Sequence, residues 1–340
     1  MKRRELLQLM GCLALGITSG GWAEKKMRCL PRISGPLWWL DPESAHWSES
    51  QWRDELDRQR KMGFDLLWLL NAPGVTDDLQ TILDLCARRK VQVILDTGSS
   101  GGWYNKLDLK KELDLCAGSI ERIGRRFKGH PAFYAWYIPH EIYMCWGEFA
   151  AYIDELYPRL TEKCKAAADL PVSVSPFFIL DRDRVFGDFR FNEPDEYQAY
   201  WARLIRRSGL DIVMLQDSGE HFSYVTNDQR RPFFHAMQAA CRQGGARLWG
   251  NVETAEFECP SIEEYVRRYG RIHHSAVKNA PWRPVPIERL KEKLSLAAEY
   301  SERIVTWGYK EYCRADDVWQ RQYRAEVLGV RAPQHPAPNT

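Results

Sequence analysis

The chain has 340 residues, with 48 basic and 46 acidic side chains and a formal net charge of +2. This near balance of charge, without a run of Lys or Arg in the body of the chain, argues against a nucleic-acid partner. Beyond the first residues, no segment is apolar for long enough to cross a bilayer. Charge and the length of the apolar segments therefore argue against a nucleic-acid-binding protein and against a membrane-spanning one.

The amino-terminal segment has the layout of an export signal. A basic start that includes Arg3 and Arg4 precedes an apolar stretch, and small residues near Ala23 offer a cleavage point. This layout predicts a signal peptide over 1–23, and the paired arginines resemble the twin-arginine type. An ordinary secretory signal and lipid attachment at Cys12 are the alternatives. We therefore expect a periplasmic or secreted protein.

Short runs of β-forming residues alternate with longer helical patterns in the rest of the chain. Several of these runs are almost entirely apolar, as expected for strands that are covered on both faces. In chain order, the predicted strands are 33–40, 64–70, 91–97, 133–139, 171–178, 211–217, 246–253 and 303–309.

The intervening helices begin and end at recognisable residues. Ser48 and Gln51 form a capping box that starts a helix ending at Gly63. Asn192 is predicted to cap another helix, which closes near Gly209. Further helices are predicted over 76–90, 107–128 and 228–243, and from Pro286 towards the last strand.

Eight repeats of strand and helix favour a single-domain (β/α)8 barrel, or TIM barrel, over an open doubly wound sheet. No GxGxxG motif follows the first strand and no Walker motif occurs, so a nucleotide-binding fold has little support. The barrel is expected over 24–330, before a Pro-rich tail over 331–340 that is predicted to be disordered. The segment 254–285 is expected to be a long excursion that shapes the substrate site.

The nine cysteines do not form a metal-binding pattern. They show no CxxC pair and no Cys/His ligand spacing, and no HxH motif follows the first strand. The sequence therefore predicts neither a metal nor a cofactor. Cys29 with Cys313, or Cys145 with Cys259, could form a disulfide in an oxidising compartment.

Barrel enzymes place their active-site groups at the carboxyl ends of the strands. Glu141 follows the fourth predicted strand and Glu253 ends the seventh, and these strands face each other across a barrel. Glycoside hydrolysis needs two carboxyl groups around the scissile bond, one protonated and one ionised. We predict Glu141 as the general acid/base and Glu253 as the nucleophile, with Asp217 as a neighbour that raises a pKa. The alternative is that these carboxylates are solvated or structural.

Other residues at strand ends are candidates for substrate binding. Sugar rings stack their CH faces on aromatic rings, and the best-placed tryptophans are Trp39, Trp103, Trp146 and Trp307. For any one of them, packing in the core is the competing interpretation. Two polar residues complete this set of predicted contacts, Asp96 at the end of the third strand and Asn251 in the seventh.

Several motifs together resemble a known family. The stretches GHPAFYAWYIPHEIY, VSVSPFF, VMLQDSG and LWGNVETAEFE are similar to a bacterial family of secreted, glycosidase-like barrels of unknown function, over about residues 33–310. The resemblance implies a (β/α)8 barrel of glycoside-hydrolase type with Glu141 and Glu253 at its site. His140 stands where related retaining glycosidases carry an Asn that binds the sugar 2-hydroxyl, so we expect it to contact substrate. This departure also leaves a pairing of Glu141 with Asp217 open.

The sequence thus predicts a glycoside hydrolase-like enzyme that acts on a poly- or oligosaccharide in the periplasm by a two-carboxylate mechanism. One alternative is a non-catalytic glycan-binding or polysaccharide-assembly protein on the same scaffold. A second is a different hydrolase that uses Asp217 or His140.

Overall fold

The computed structural model describes residues 31–72 and 76–330. The predicted signal peptide and the tail after residue 330 lie outside the described residues. The strands are β1 (Gly35–Trp39), β2 (Leu66–Leu70), β3 (Gln92–Asp96), β4 (Phe133–Tyr137), β5 (Val172–Val174), β6 (Ile212–Gln216), β7 (Arg247–Asn251), β8 (Ala255–Phe257), β9 (Trp282–Pro284) and β10 (Arg303–Thr306).

Eight of these strands close a parallel barrel in the order β1, β10, β7, β6, β5, β4, β3, β2. The remaining pair, β8 and β9, forms a separate antiparallel ribbon. The prediction of a single-domain (β/α)8 barrel is confirmed. The carboxyl ends of the eight barrel strands surround one opening, which we call the mouth.

The helices cover the outside of the barrel. They are α1 (Pro42–Ala45), α2 (Glu49–Lys61), α3 (Thr76–Arg88), α4 (Leu109–Phe127), α5 (Gly147–Ala167), α6 (Pro194–Ser208), α7 (Asn227–Gly244), α8 (Ile262–Tyr269), α9 (Ile287–Tyr300) and α10 (Asp317–Glu326). None of the described helices is long and apolar enough to span a membrane.

Helix caps explain where these elements start and stop. The predicted capping box between Ser48 and Gln51 is present at α2, and Gly209 ends α6 in the left-handed conformation with φ 65°. The prediction of Asn192 as the cap of α6 is wrong. Because Pro194 occupies the first turn of the helix, the cap falls on Glu193, which forms a capping box with Glu196.

Alternation along the strands separates two cores. Inward-facing side chains such as Trp68, Tyr137 and Trp249 fill the barrel, whereas their neighbours in sequence pack against the helices. At β7 the ladder continues beyond the strand, because the N–H of Thr254 still donates to the carbonyl of Trp307 at 2.9 Å. Glu253 therefore continues the inward-facing row of Trp249 and points towards the mouth.

The excursion over 254–285 builds one wall of the mouth. Its ribbon and α8 surround a small apolar cluster that includes Phe222, Phe257 and Tyr265. A short 3₁₀ turn at His274–Ala276 completes the segment. The predicted long loop is thus a folded unit with its own core.

The cysteines of the described residues are buried thiols. Cys145 and Cys259 are both free, so the suggested bridge between them is not formed. Cys313 is also a buried free thiol, and Cys29 lies outside the described residues. These side chains act as small apolar groups in the packing of the barrel and its helices.

Candidate active site

Glu141 lies at the mouth just after β4, and both of its carboxyl oxygens accept hydrogen bonds. The hydroxyl of Tyr137 donates to Oε1 at 2.6 Å, and Nε2 of Gln216 donates to Oε2 at 2.9 Å. The same Nε2 also donates to the carbonyl of Ser175 at 3.0 Å, which fixes the orientation of the amide. Tyr137 is held in turn by edge-to-face contact with Trp68, at 4.7 Å between ring centres. Neutral donors from β4 and β6 therefore hold Glu141.

Glu253 lies in a different environment, beside charged groups. Glu253 is only 2 % exposed. Its Oε2 lies 3.2 Å from Nδ1 of His221, but this contact does not have the geometry of a hydrogen bond. Nζ of Lys293 donates to the backbone carbonyl of Glu253 at 2.8 Å and lies 2.9 Å from Oδ2 of Asp217. A carboxylate and a buried cation thus surround Glu253 at the bottom of the mouth.

The pKa values of Glu141 and Glu253 are both raised above the ordinary value of a glutamate. Burial raises the pKa of Glu141, although the hydrogen bonds from Tyr137 and Gln216 oppose this effect. Burial also raises the pKa of Glu253, well above its usual range, and the negative charges of Asp217 and Glu141 add to the rise. Since the charge of Glu141 acts on Glu253, the two carboxyl groups belong to one electrostatic site. A carboxyl group whose pKa is raised keeps its proton to higher pH than a solvated one, which suits general acid catalysis.

An aromatic wall stands next to Glu253. His221 lies 5.5 Å from Trp307, and Trp307 lies 5.7 Å from Trp282, measured between ring centres. Tyr312 stacks on Trp282 at 5.9 Å. Burial, helped by the positive charges of Lys293 and Arg230, lowers the pKa of His221 to about 3, so its ring is neutral. The wall therefore presents uncharged rings beside the buried carboxyl group.

The other predicted tryptophans are spread over different surroundings. Trp39 is 51 % exposed at the end of β1, and Trp146 is half-buried beneath the guanidinium of Arg190, 4.6 Å from the ring centre. Trp103 is buried and stacks on Tyr152 at 6.4 Å. Of the four predicted tryptophans, Trp307 is the one that lies beside His221, which contacts Glu253. Trp103 packs in the core.

The predicted polar contacts are buried and engaged within the protein. Asp96 accepts a hydrogen bond from the backbone N–H of Ala72 at 2.9 Å, and burial raises its pKa to about 6. Asn251 donates to the hydroxyl of Ser175 at 3.2 Å, while its Oδ1 has no hydrogen-bond partner in the described part of the chain. Asp96 thus fixes a loop after β2, and Asn251 has an acceptor free at the inner face of β7.

His140 does not reach the mouth. It has no exposed surface, and its Nε2 lies 2.8 Å from Oε1 of Glu112 on α4. The hydroxyl of Tyr157 on α5 donates to its carbonyl at 2.5 Å. The structure therefore places His140 behind β4, where it anchors the backbone that carries Glu141.

One group of potential metal ligands occurs among the described residues. Ligand atoms of Glu112, Cys116 and His140 lie within 4.8 Å of one another. Glu112 and His140 already share a hydrogen bond, and burial raises the pKa of Cys116 to about 12, which opposes formation of a thiolate ligand. The group is therefore explained by its own hydrogen bonds and packing.

A large cavity lies away from the mouth. It has a volume of about 960 Å³ and is lined by residues at the starts of strands, among them Tyr134, Arg247 and Arg303. None of the carboxyl groups that follow the strands lines it. Because catalytic groups of barrel enzymes project from the opposite end, we place the candidate site at the mouth rather than in this cavity.

Four residues that contact Glu141 or Glu253 directly were not among the predicted ones. Tyr137 and Gln216 end strands whose period-two pattern points them inward, so this pattern could have identified them. Lys293 lies in the middle of α9, and His221 lies in a loop. No sequence signal marks either of these as a neighbour of Glu253.

Solved structures of glycoside hydrolases share this fold. A candidate alpha-L-fucosidase from Bacteroides thetaiotaomicron matches with a TM-score of 0.67 at 17% identity, over 93% of this chain and 100% of that chain. An endo-1,4-beta-mannanase from Rhizomucor miehei matches with a TM-score of 0.53 at 10% identity, over 88% and 93% of the two chains. The protein therefore shares the (β/α)8 barrel fold of these two structures, and a shared fold does not by itself assign a function.

The chain belongs to the family described as "Domain of unknown function (DUF4434)", whose model matches residues 33–317. No curated protein matches the sequence. The resemblance to a glycosidase-like barrel family of unknown function is thus confirmed.

Proposed function

We propose that the protein is a glycoside hydrolase that acts on a poly- or oligosaccharide, with Glu141 as general acid/base and Glu253 as nucleophile. The observation that carries this proposal is that two carboxyl groups, half-buried Glu141 and buried Glu253, act on each other electrostatically at the mouth, where burial raises the pKa of both. They come from the ends of β4 and β7, and an aromatic wall lies beside one of them. Retaining glycosidases need such a pair.

In the proposed reaction, Glu141 starts protonated and Glu253 ionised. A carboxylate oxygen of Glu253 attacks the anomeric carbon while Glu141 gives its proton to the glycosidic oxygen, so that the glycosidic bond breaks and a glycosyl ester forms. Glu141 then takes a proton from a water molecule, whose oxygen attacks the anomeric carbon and releases Glu253. One water is consumed, and both carboxyl groups return to their initial states.

The surroundings of each glutamate suit these roles. Tyr137 and Gln216 can orient the Glu141 carboxyl group in both of its protonation states, because they fix its two oxygens without adding charge. Lys293 and Arg230 lower the pKa of Glu253 against the effect of burial, which favours the ionised nucleophile. Trp307 offers a face on which the sugar ring can stack.

The test is a screen of the purified chain on bacterial and plant polysaccharides, with release of reducing ends as the readout. We expect Glu141→Gln and Glu253→Gln each to lower turnover by at least about 100-fold. Glu162→Gln is the matched control, since Glu162 is exposed on α5 and has none of the described hydrogen bonds or ion pairs. Wild-type turnover by either site variant would refute the proposal.

Two further results separate this mechanism from its alternatives. NMR of the first product formed should show the anomer of the substrate, because a glycosyl ester on Glu253 gives net retention. Inversion would exclude Glu253 as nucleophile. Binding of a glycan without turnover would favour the glycan-binding or assembly protein.

We also propose that the protein is exported to the periplasm, on the basis of the signal-like segment over 1–23. Replacing Arg3 and Arg4 together by Lys should hold a tagged chain in the cytoplasmic fraction if the twin-arginine route is used. Unchanged export of this variant would contradict that route and favour an ordinary secretory signal.

A further inference from the structure

Lys293 is a buried cation in the middle of a helix. It lies on α9, between apolar residues such as Leu290 and Leu294, and is 5 % exposed. Burying an ammonium group is costly unless it is paired and hydrogen-bonded. Lys293 has two such partners, both in the site proposed for hydrolysis: Oδ2 of Asp217 at 2.9 Å and the carbonyl of Glu253 at 2.8 Å.

Asp217 is fixed on the other side of this ion pair. It is 2 % exposed, its N–H donates to the carbonyl of Asn251 at 3.1 Å, and its carbonyl accepts from Nε of Arg230 at 2.8 Å. Asp217 is therefore tied to β7 as well as to its own strand, β6. These contacts fix the backbone of Asp217, and the ion pair with Lys293 at 2.9 Å holds its carboxylate.

We propose that Lys293 is a positioning residue which, paired with Asp217, fixes the backbone of Glu253 and sets how readily its carboxyl group gives up a proton. This inference rests on the proposed function, in which Glu253 must be ionised to attack. The hydrogen bond to the carbonyl of Glu253 supplies the first effect. The balance between the positive charge of Lys293 and the negative charge of Asp217 supplies the second.

The charges that face Glu253 come from every element around it. The charge of Asp217 is negative, as is that of Glu141 once it has released its proton; the charges of Lys293 and Arg230 are positive, and His221 is neutral. Removal of the Lys293 charge leaves the Asp217 carboxylate, the Glu141 carboxyl group and one guanidinium around Glu253, so Glu253 should keep its proton to higher pH. Removal of the Asp217 charge has the opposite effect, because Lys293 then acts on Glu253 unopposed.

These opposite signs separate electrostatic positioning from a merely structural role. Lys293 could act only as a link between α9 and the barrel, in which case loss of either partner would damage the site in the same way. In the proposed role, the two single substitutions shift the ionisation of Glu253 in opposite directions. The double substitution removes both charges and restores the balance.

The experiment uses the full chain with glutamate labelled by ¹³C at the carboxyl group, and NMR follows the titration of Glu253, assigned by Glu253→Gln. We expect Lys293→Met to raise the apparent pKa of Glu253 by about 1 to 3 pH units, and Asp217→Asn to lower it by a similar amount. The double variant should titrate close to the wild type. Lys291→Met is the control, because Lys291 is exposed on the same helix.

Two outcomes would overturn the inference: shifts of the same sign in both single variants, or shifts within the range of the Lys291→Met control. Should Lys293→Met fail to fold, the comparison of Asp217→Asn with the double variant isolates the lysine, and the double variant must then have the higher pKa of Glu253. The titration needs no substrate. Absence of hydrolysis by the wild-type chain would therefore refute the proposed function, while the NMR result would still decide the role of Lys293.

Discussion

Replacing Tyr137 by Phe isolates one hydrogen bond of the proposed acid. The substitution removes the hydroxyl that donates to Oε1 of Glu141 at 2.6 Å and keeps the ring that contacts Trp68. Because that hydrogen bond lowers the pKa of Glu141, its loss should raise this pKa. Hydrogen bonds to charged groups contribute about 1.5–3 kcal/mol, and one pH unit corresponds to about 1.4 kcal/mol. We expect a rise of about 1 pH unit, since Gln216 still holds the second oxygen.

Two measurements report this change. The alkaline limb of the pH profile of kcat/KM follows ionisation of the proton donor, so Tyr137→Phe should move it to higher pH by about 1 unit. Stability should change in the same sense. An acid whose pKa is raised by folding stabilises the fold at low pH, and that contribution is lost as the pH rises through the folded-state pKa. In Tyr137→Phe, the fall in the free energy of unfolding with rising pH should therefore continue to a higher pH than in the wild type.

Tyr134→Phe is the matched control. Tyr134 lies on the same strand, but its hydroxyl accepts from Arg247 at the opposite end of the barrel. An alkaline limb that stays in place in Tyr137→Phe, or moves to lower pH, would refute the assignment of Glu141 as the proton donor. A shift in Tyr134→Phe as large as that in Tyr137→Phe would show that the effect is not local.

Three further predictions concern other residues. Burial raises the pKa of Asp96 from 3.8 to about 6, so folding loses up to about 3 kcal/mol between those pH values; Asp96→Asn should flatten this part of a plot of melting temperature against pH, and an unchanged slope would contradict the shift. Glu112→Gln breaks the buried pair with His140 and should lower the free energy of unfolding by about 2–3 kcal/mol in urea titrations; a loss below about 0.5 kcal/mol would show that the pair adds little. Trp307→Ala should raise KM about 2- to 10-fold with kcat nearly unchanged if its ring stacks on the sugar, and a fall in kcat alone would assign Trp307 to the chemical step instead.

The barrel and the strand ends could be predicted from sequence because both rest on local patterns. Apolar runs such as Leu66–Leu70 mark strands that are covered on both faces. Once eight of them are counted, the topology fixes which residues follow β4 and β7, and Glu141 and Glu253 are reached by counting alone. The N-cap of α6 was misplaced by one residue because Asn is a favoured cap, while the position of Pro194 decides the matter.

The surroundings of the two glutamates could not be predicted in the same way. Lys293 reaches Glu253 across 40 residues of chain, and its contact depends on how α9 rotates against the barrel. His140 was expected beside the substrate because it precedes Glu141, yet neighbouring residues can face opposite sides of the backbone. Its bond to Glu112 on α4 shows that the chain turns it towards the helices. Side chains from helices thus decide which strand-end residues can face a substrate at the mouth.

The difference between the two environments gives a physical reason for the assignment of roles. Among the described residues, the hydrogen-bond donors to Glu141 are the neutral side chains of Tyr137 and Gln216, and neutral dipoles stabilise a carboxylate less than a full opposite charge does. Glu253 lies beside the ammonium group of Lys293, and its ionised form depends on that charge. A bound substrate excludes water from the mouth. This strengthens the attraction between the Lys293 ammonium group and the Glu253 carboxylate, as long as the Lys293–Asp217 ion pair is intact. For the proton to rest on Glu141 and the negative charge on Glu253, as the proposed reaction requires, this cation must outweigh the burial and the Asp217 charge that raise the pKa of Glu253 in the unliganded site.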